Sequence, residues 1–233
     1  MKNDSDIRSL LQKLLCFGGM ARRKEELTDA LLSRFSSPRS LFTASVKELM
    51  QVGLSESCAI LFHMQVPFLR RCQLSAFLRQ NKTLDTAEKL GEMFRIVLQF
   101  LRVEQFYAAL LDKDFHLLKL VKLSEGTVNA TALLPRNLAE LAIAHRAAFF
   151  AIAHNHPGGE LVPSTADEYT TKELQSAMDP LGIPLLEHFV ISDGADASFR
   201  PLLLFQSSCH FCKQISPKLF YSARLLQEAK LSL

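Results

Sequence analysis

The sequence lacks any long run of apolar residues, because no stretch of its 233 residues approaches the roughly 18 uncharged apolar positions of a membrane-spanning helix. We therefore expect no membrane span and no membrane partner. The first residues include acids instead of a basic segment followed by an apolar run, so we expect no secretory signal. Cysteine is scarce, at five in total, an odd number in a chain too large to need disulfides. These features favour a reduced, cytoplasmic protein.

Charge of one sign is also lacking, since 27 Lys and Arg stand against 24 Asp and Glu. The small excess of positive charge lies in residues 1–100, which contain 15 Lys and Arg and 10 Asp and Glu. An ordinary solvated helical surface is the preferred interpretation of this excess. Contact with DNA or another acidic surface is the alternative.

The hydrophobic periodicity changes near residue 100. Before it, apolar residues recur at helical spacing, as in the stripe from Ile7 to Leu15. After it, compact apolar runs alternate with helical segments in the order β, β, α, β, α, β. We predict an α/β (α+β) protein with a helical domain over 1–98, a mixed-sheet domain over 99–200 and a tail over 201–233.

Within the helical part, turn residues set the predicted boundaries. Ser36-Ser37-Pro38 is expected to break the second helix. Ser55 is a candidate N-cap for a helix running towards Arg71, and Thr86 or Asp85 for one ending near Arg95.

The residues that carry chemistry lie in the segment A-H-N-H-P-G-G-E-L-V-P-S-T-A-D over 153–167. His154 and His156 are spaced i, i+2, so at the end of a strand they point the same way. If Ser164 caps the next helix, Asp167 lies in its first turn and can reach back towards them. Two imidazoles and one carboxylate form the ligand set of a catalytic Zn²⁺ site with an open fourth position. Taken alone, Ser164 and Asp167 also form an ordinary helix capping box.

The spacing H-x-H, seven residues, S, two residues, D resembles the JAMM (MPN+) metallopeptidase signature. The longer string from His154 to Leu174 resembles the RadC family of bacterial JAMM-domain proteins. Further similarity lies in V-E-Q-F-Y-A-A-L-L-D over 103–112 and E-H-F-V-I-S over 187–192, and the whole resemblance spans roughly residues 5–200. It implies a JAMM/MPN-type (cytidine deaminase-like) domain behind a helix-hairpin-helix-like N-terminal domain.

The resemblance also implies roles for individual residues. The zinc ligands of the family correspond to His154, His156 and Asp167. Its general acid/base corresponds to Glu104, for which the alternative interpretation is a solvated glutamate at a strand edge. Ser164 matches the donor to the oxyanion. The implied activity is zinc-dependent cleavage of a peptide or isopeptide-like amide in an unknown protein or peptide substrate.

The alternative function is a DNA-repair-associated accessory protein without hydrolase activity. The turn at Gly53 resembles the phosphate-binding loop of a helix-hairpin-helix, but Gly53-Leu54-Ser55 lacks the second glycine. Two further departures from the family are Gly158, where the family usually has serine, and Asn137 in the P-R-E block.

Two other features in the chain are weaker candidates. His188 lies in an apolar run and is interpreted as a core histidine with its polar atoms satisfied. Cys209 and Cys212 form a lone C-x-x-C and are interpreted as incidental thiols, with a redox pair as the alternative. A candidate amphipathic helix covers 216–230.

Overall fold

The computed structural model of the chain describes residues 2–126, 134–157, 161–192 and 199–201. It divides into two compact units, Met1–Gln73 and Leu74–Leu233. Within the described segments, no helix has the length and apolar character to cross a bilayer. The candidate helix over 216–230 and the Cys209–Cys212 pair lie outside the described residues.

The first unit is built from helices around one apolar core. Its elements are α1 (Lys2–Phe17), a 3₁₀ turn (Ala21–Arg23), α2 (Lys24–Arg34), α3 (Pro38–Phe42), α4 (Val46–Gln51) and the first part of α5 (Glu56–Gln80). Leu11 and Leu15 of α1 are fully buried against Leu27 and Leu31 of α2 and Phe62 of α5. Of the predicted stripe of α1, Leu11 and Leu15 face the core and Ile7 and Leu14 pack against it, whereas Leu10 is 58% exposed.

Two helix boundaries differ from the prediction. Ser36-Ser37-Pro38 does end α2, but Ser37 then caps the short helix α3 through Ser40, with Pro38 at its first position. Proline suits that position because its missing N–H would have no partner in the helix. Helix α5 continues past Arg71 to Gln80 and contains Pro67.

The second unit is a five-stranded mixed sheet with helices on both faces. Its elements are α6 (Ala87–Leu98), β1 (Gln105–Leu111), β2 (Leu117–Glu125), α7 (Leu134–Ala144), β3 (Phe149–His156), α8 (Thr165–Met178), a 3₁₀ turn (Asp179–Leu181), β4 (Leu185–Ser192) and β5 (Phe199–Pro201). The strand order is β2-β1-β3-β4-β5. Among the described strands, the β3–β4 pair is parallel and the other pairs are antiparallel. The predicted fold class and the predicted order of elements are confirmed, with β5 as an addition.

The alternation of side chains along β3 divides them between two cores. Ala151 and Ala153 pack into the core that contains α6, whereas Phe150 and Ile152 pack into the core that contains α7 and α8. His154 has the same parity as Phe150 and Ile152, so it faces α8. The central strand thus carries the site on the side where α8 begins.

Helix α6 packs on the sheet and belongs to the second unit. Its Phe94 is fully buried, with its ring 5.8 Å from that of Phe189 on β4. The predicted domain boundary at 98/99 followed the change of periodicity, whereas the compact units divide at 73/74. The difference arises because an amphipathic helix has the same pattern whether it covers a sheet or packs on other helices.

This packing makes a prediction about fragments of the chain. A fragment starting at residue 74 retains α6 over the apolar face of the sheet and is expected to unfold in one cooperative thermal transition. A fragment starting at residue 99 exposes that face and is expected to aggregate or to unfold without cooperativity. Circular dichroism melting of the two fragments checks this, and equal cooperativity would contradict the assignment of α6.

Candidate metal centre

The candidate site lies where β3 ends and α8 begins. His154 and Asn155 are fully buried near the end of β3, and His156 is partly buried at its last position. Asp167 occupies the third position of α8, which Ser164 caps. A strand end and a helix start therefore converge on one point, as the sequence predicted for the local elements.

The structure brings the three predicted ligand residues together. The Nε2 atoms of His154 and His156 are 2.9 Å apart. Asp167 Oδ1 lies 3.2 Å from His154 Nε2, and Asp167 Oδ2 lies 3.7 Å from His156 Nε2. Among the described residues, these three form a group whose ligand atoms lie within 4.8 Å of one another. The His154 side chain is inaccessible to solvent, whereas 20% of the His156 side chain and 11% of the Asp167 side chain are exposed. Solvent therefore reaches the site from the side of His156.

These separations fit a divalent cation. Tetrahedral zinc with bonds of about 2.0–2.1 Å sets neighbouring ligand atoms about 3.3 Å apart. The separations of His154 Nε2 from His156 Nε2, 2.9 Å, and from Asp167 Oδ1, 3.2 Å, lie near that value, and His156 Nε2 lies 3.7 Å from the other carboxylate oxygen, Oδ2. Two imidazole nitrogens and a carboxylate also form the donor set of catalytic zinc sites that leave one position open.

The capping box ties Asp167 to the start of its own helix. Asp167 Oδ2 accepts hydrogen bonds from the Ser164 backbone N at 2.6 Å and from the Ser164 hydroxyl at 2.7 Å. The Ser164 Oγ in turn accepts from the Asp167 backbone N at 3.2 Å. The predicted N-cap is confirmed. Because the hydroxyl has one proton, directed here at Asp167, donation to any other acceptor requires the hydroxyl to rotate.

The surroundings of Asp167 lower its pKa. Burial acts to raise the pKa of this carboxyl, but the hydrogen bond and charge of His154 and the hydrogen bonds from Ser164 outweigh it. The net result is a pKa well below the usual range of an aspartate. Asp167 is therefore a carboxylate over the whole physiological pH range, which is the form that binds a cation.

His188 of β4 lies directly behind His154. Its Nε2 is 2.9 Å from His154 Nδ1, and its Nδ1 is 2.7 Å from the Thr171 hydroxyl on α8. Burial, followed by the charge of His154, lowers the pKa of His188 well below its ordinary value, so the ring is neutral. The interpretation of His188 as a satisfied core histidine agrees with these bonds. Its contact with His154 had no signal in the sequence, because the two residues meet only across the β3–β4 pair.

Glu104 lies next to the site, immediately before β1, and is partly buried. The antiparallel register pairs Phe106, two residues after Glu104, with His154. Glu104 shares the parity of Phe106, whose ring stacks on His154 at 5.9 Å. Its carboxylate is not part of the close group formed by His154, His156 and Asp167.

Asn155 connects the two strands at this point, a contact that the sequence analysis missed. Its Oδ1 accepts from the Gln105 backbone N at 2.8 Å, and its Nδ2 donates to the Val103 carbonyl at 3.2 Å. The carboxamide thus binds the main chain on both sides of Glu104. The only sequence signal was the position of Asn155 between the two histidines.

Another candidate feature is the turn at Gly53. In the first unit, Gly53 has φ +109° in the turn between α4 and α5, a conformation that favours glycine. The turn joins α4 to α5, and both its helix-hairpin-helix character and DNA binding through it stay predictions. Gly158 and Gly159 lie outside the described residues.

Comparison with known proteins agrees with the resemblance. The RadC-like JAB domain matches residues 84–203. A UPF0758 protein of Vibrio campbellii is 35% identical over 191 residues, which cover 82% of this chain and 85% of that protein. A UPF0758 protein of Cupriavidus taiwanensis is 32% identical over 183 residues, which cover 78% of this chain and 80% of that protein. Neither name states an activity.

The lowered pKa of Asp167 predicts a pH-dependent contribution to stability. In the unfolded chain its carboxyl has a pKa of about 3.9. The stabilisation of the fold by the Asp167 carboxylate is therefore present above that pH and is lost as the pH falls towards the lower pKa of the folded state. In metal-free protein, we expect Asp167→Asn to lower the free energy of unfolding by about 1–3 kcal/mol at pH 7. Urea titrations should show this deficit shrinking as the pH is lowered below about 4.

Asp179, just after α8, provides a control of opposite sign. Burial raises the pKa of its carboxyl, so its ionised form is the less stable one in the folded state. Wild type should therefore lose stability relative to Asp179→Asn as the pH rises through the range in which the Asp179 carboxyl ionises.

For Asp167, the contradicting outcome is a stability deficit of Asp167→Asn that grows as the pH is lowered.

Proposed function

Since the chain belongs to the RadC family and carries its JAB domain over residues 84–203, we propose that it is a zinc-dependent hydrolase of the JAMM class. Its proposed substrate is a peptide or isopeptide-like amide. The observation that carries the proposal is the convergence of His154, His156 and Asp167 on one point with electron-pair donors within 4.8 Å of one another.

His154, His156 and Asp167 would hold the cation. A bound Zn²⁺ supplies Lewis acidity and lowers the pKa of water in its open position towards about 7. The exposed fraction of His156 supports this role, because it leaves a route for water and substrate from one side of the centre. The buried side is closed by His188 and by the Phe106 ring.

Glu104 is the proposed general acid/base. It lies two residues before Phe106, the ladder partner of His154, and its carboxylate stands outside the close ligand group. It would accept the proton of the attacking water and deliver it to the leaving amine, work that contributes typically about 10²–10⁴-fold. The bonds from Asn155 to the main chain on both sides of Glu104 support this role, because they hold the residue in register with the histidines.

Ser164 is the proposed donor to the oxyanion of the tetrahedral intermediate. Its hydroxyl caps α8 and points at Asp167 Oδ2, so it would rotate towards the substrate oxygen as negative charge develops there. Its backbone N continues to donate to Asp167 in either orientation, so the carboxylate stays in place. By comparison with other oxyanion donors, the hydrogen bond would lower the activation barrier by about 2.7–4 kcal/mol.

The proposal predicts the metal content of the protein. Wild-type protein dialysed against Zn²⁺ should retain about one equivalent, because its donor set completes a three-ligand site. His154→Ala and Asp167→Ala should each abolish retention, and His145→Ala, which changes a histidine after α7, should leave it intact. Elemental analysis measures all four, and full retention by the two site variants would contradict the proposed ligands.

A second prediction separates the general base from the metal ligands. Glu104→Gln should retain zinc at the wild-type level and lose about 10²-fold or more of any amide hydrolysis. A defined pool of linear peptides and of lysine-linked isopeptides, analysed by mass spectrometry, supplies the assay. Equal cleavage by wild type and Glu104→Gln would overturn the role of Glu104, and cleavage that survives Asp167→Ala would overturn the hydrolase proposal.

A further inference from the structure

Helix α5 presents apolar side chains on two opposite faces. One face, which includes Phe62, is fully buried in the core of the first unit. The other carries Ile60, Met64 and Phe68, which are 45%, 51% and 69% exposed. A helix at a protein surface normally has one apolar and one polar face, whereas a helix that is apolar all round is normally buried. The outer face of α5 therefore has the character of a surface that another protein surface covers.

The exposed apolar residues of α5 form one continuous stripe. Ile60, Met64 and Phe68 are spaced four residues apart, so each lies about 6 Å along the helix axis from the next, on the same side. Pro67 is also exposed on this side, and its ring loses no rotamer freedom when it is covered. Single exposed apolar residues are common, whereas contiguous apolar patches mark interaction sites. These four residues are called the α5 stripe.

Opposite charges flank the α5 stripe. Glu56 lies one turn before its first residue and Arg71 lies just beyond its last, and both are exposed. Neither forms an ion pair with another residue that the structure describes. They are about 22 Å apart along the helix axis, so they cannot pair with each other within one copy. The helix dipole accounts for an acid in the first turn, but Arg71 lies well before the last turn of α5.

A second copy of the chain matches both the stripe and its flanking charges. If two α5 helices pack antiparallel about a two-fold axis at Met64, Ile60 faces the second copy's Phe68. Glu56 of each copy then lies level, to within one residue, with Arg71 of the other. A parallel arrangement would instead bring Glu56 beside Glu56 and Arg71 beside Arg71, and like charges repel. The charges therefore favour antiparallel pairing, and the two-fold axis forms both ion pairs at once.

We propose that the chain forms a reversible homodimer in which the α5 stripes of two copies pack antiparallel, with Glu56 of each copy paired to Arg71 of the other. A large apolar side chain covers about 150–250 Å² when fully buried, so the half-exposed stripe offers on the order of 300 Å² per copy. A stable complex buries about 800 Å² per partner. The dimer is therefore weak, with a dissociation constant on the order of 10 µM or above.

Sedimentation equilibrium of the full chain, from about 2 to 300 µM, brackets that dissociation constant. Wild type should show a concentration-dependent equilibrium between monomer and dimer. Met64→Lys places two ammonium groups at the two-fold axis, so it should stay monomeric over the whole range. A wild type that stays monomeric would overturn the proposal and would leave the stripe to another partner. A dimer that survives Met64→Lys would overturn it as well.

Met50→Lys is the matched control, because it makes the same change at a 44% exposed methionine of α4 in the same unit. It should dimerise like wild type. An equal loss of dimer in Met50→Lys and Met64→Lys would show a general effect of added charge and would overturn the assignment to the α5 stripe.

Exchanging the flanking charges tests the antiparallel arrangement and leaves the stripe itself intact. Glu56→Arg and Arg71→Glu should each weaken the dimer about 10-fold, because each variant puts like charges together in both pairs. The double variant restores opposite charges and should return the dimer to wild-type strength. The distance of about 22 Å between the two positions excludes a restoring contact within one copy. A double variant as weak as the single variants, or weaker, would overturn the proposal, and this result decides even if Met64→Lys does not fold.

Discussion

Three electron-pair donors compete for one small space at the end of β3, and a positive charge between them is what their geometry requires. Two imidazole nitrogens 2.9 Å apart and a carboxylate oxygen 3.2 Å from one of them repel each other unless they share a proton or a metal ion. Burial strengthens that requirement, because His154 is inaccessible to solvent that would otherwise screen the charges.

The elements around this point meet the requirement from several sides. The α8 capping box holds the Asp167 carboxylate, the β3–β4 pair sets His188 behind His154, and the Asn155 carboxamide holds Glu104 in register. The site is therefore supported by strand pairing and by a helix start, which are among the more rigid parts of a domain. Access remains on the side of His156, where solvent already reaches the side chain.

Local sequence was sufficient to predict contacts between residues that are close in the chain. The segment from His154 to Asp167 indicated the ligand set and the N-cap Ser164 from spacing alone, and helix α8 begins where that cap predicts. Long-range contacts were not accessible in this way. The bonds of His188 and Asn155 depend on strand order and register, and the packing of Phe94 on Phe189 assigns α6 to the sheet, although its pattern resembles that of the preceding helices.

Zinc K-edge X-ray absorption of the zinc-loaded protein tests the central claim most directly, because it reports the atoms bound to the ion. The account predicts nitrogen and oxygen neighbours at about 2.0–2.1 Å, outer-shell scattering from two imidazole rings and no sulfur. Sulfur neighbours at about 2.3 Å would indicate that the ion binds cysteines such as Cys209 and Cys212, and this would contradict the account. The absence of imidazole scattering would contradict it as well.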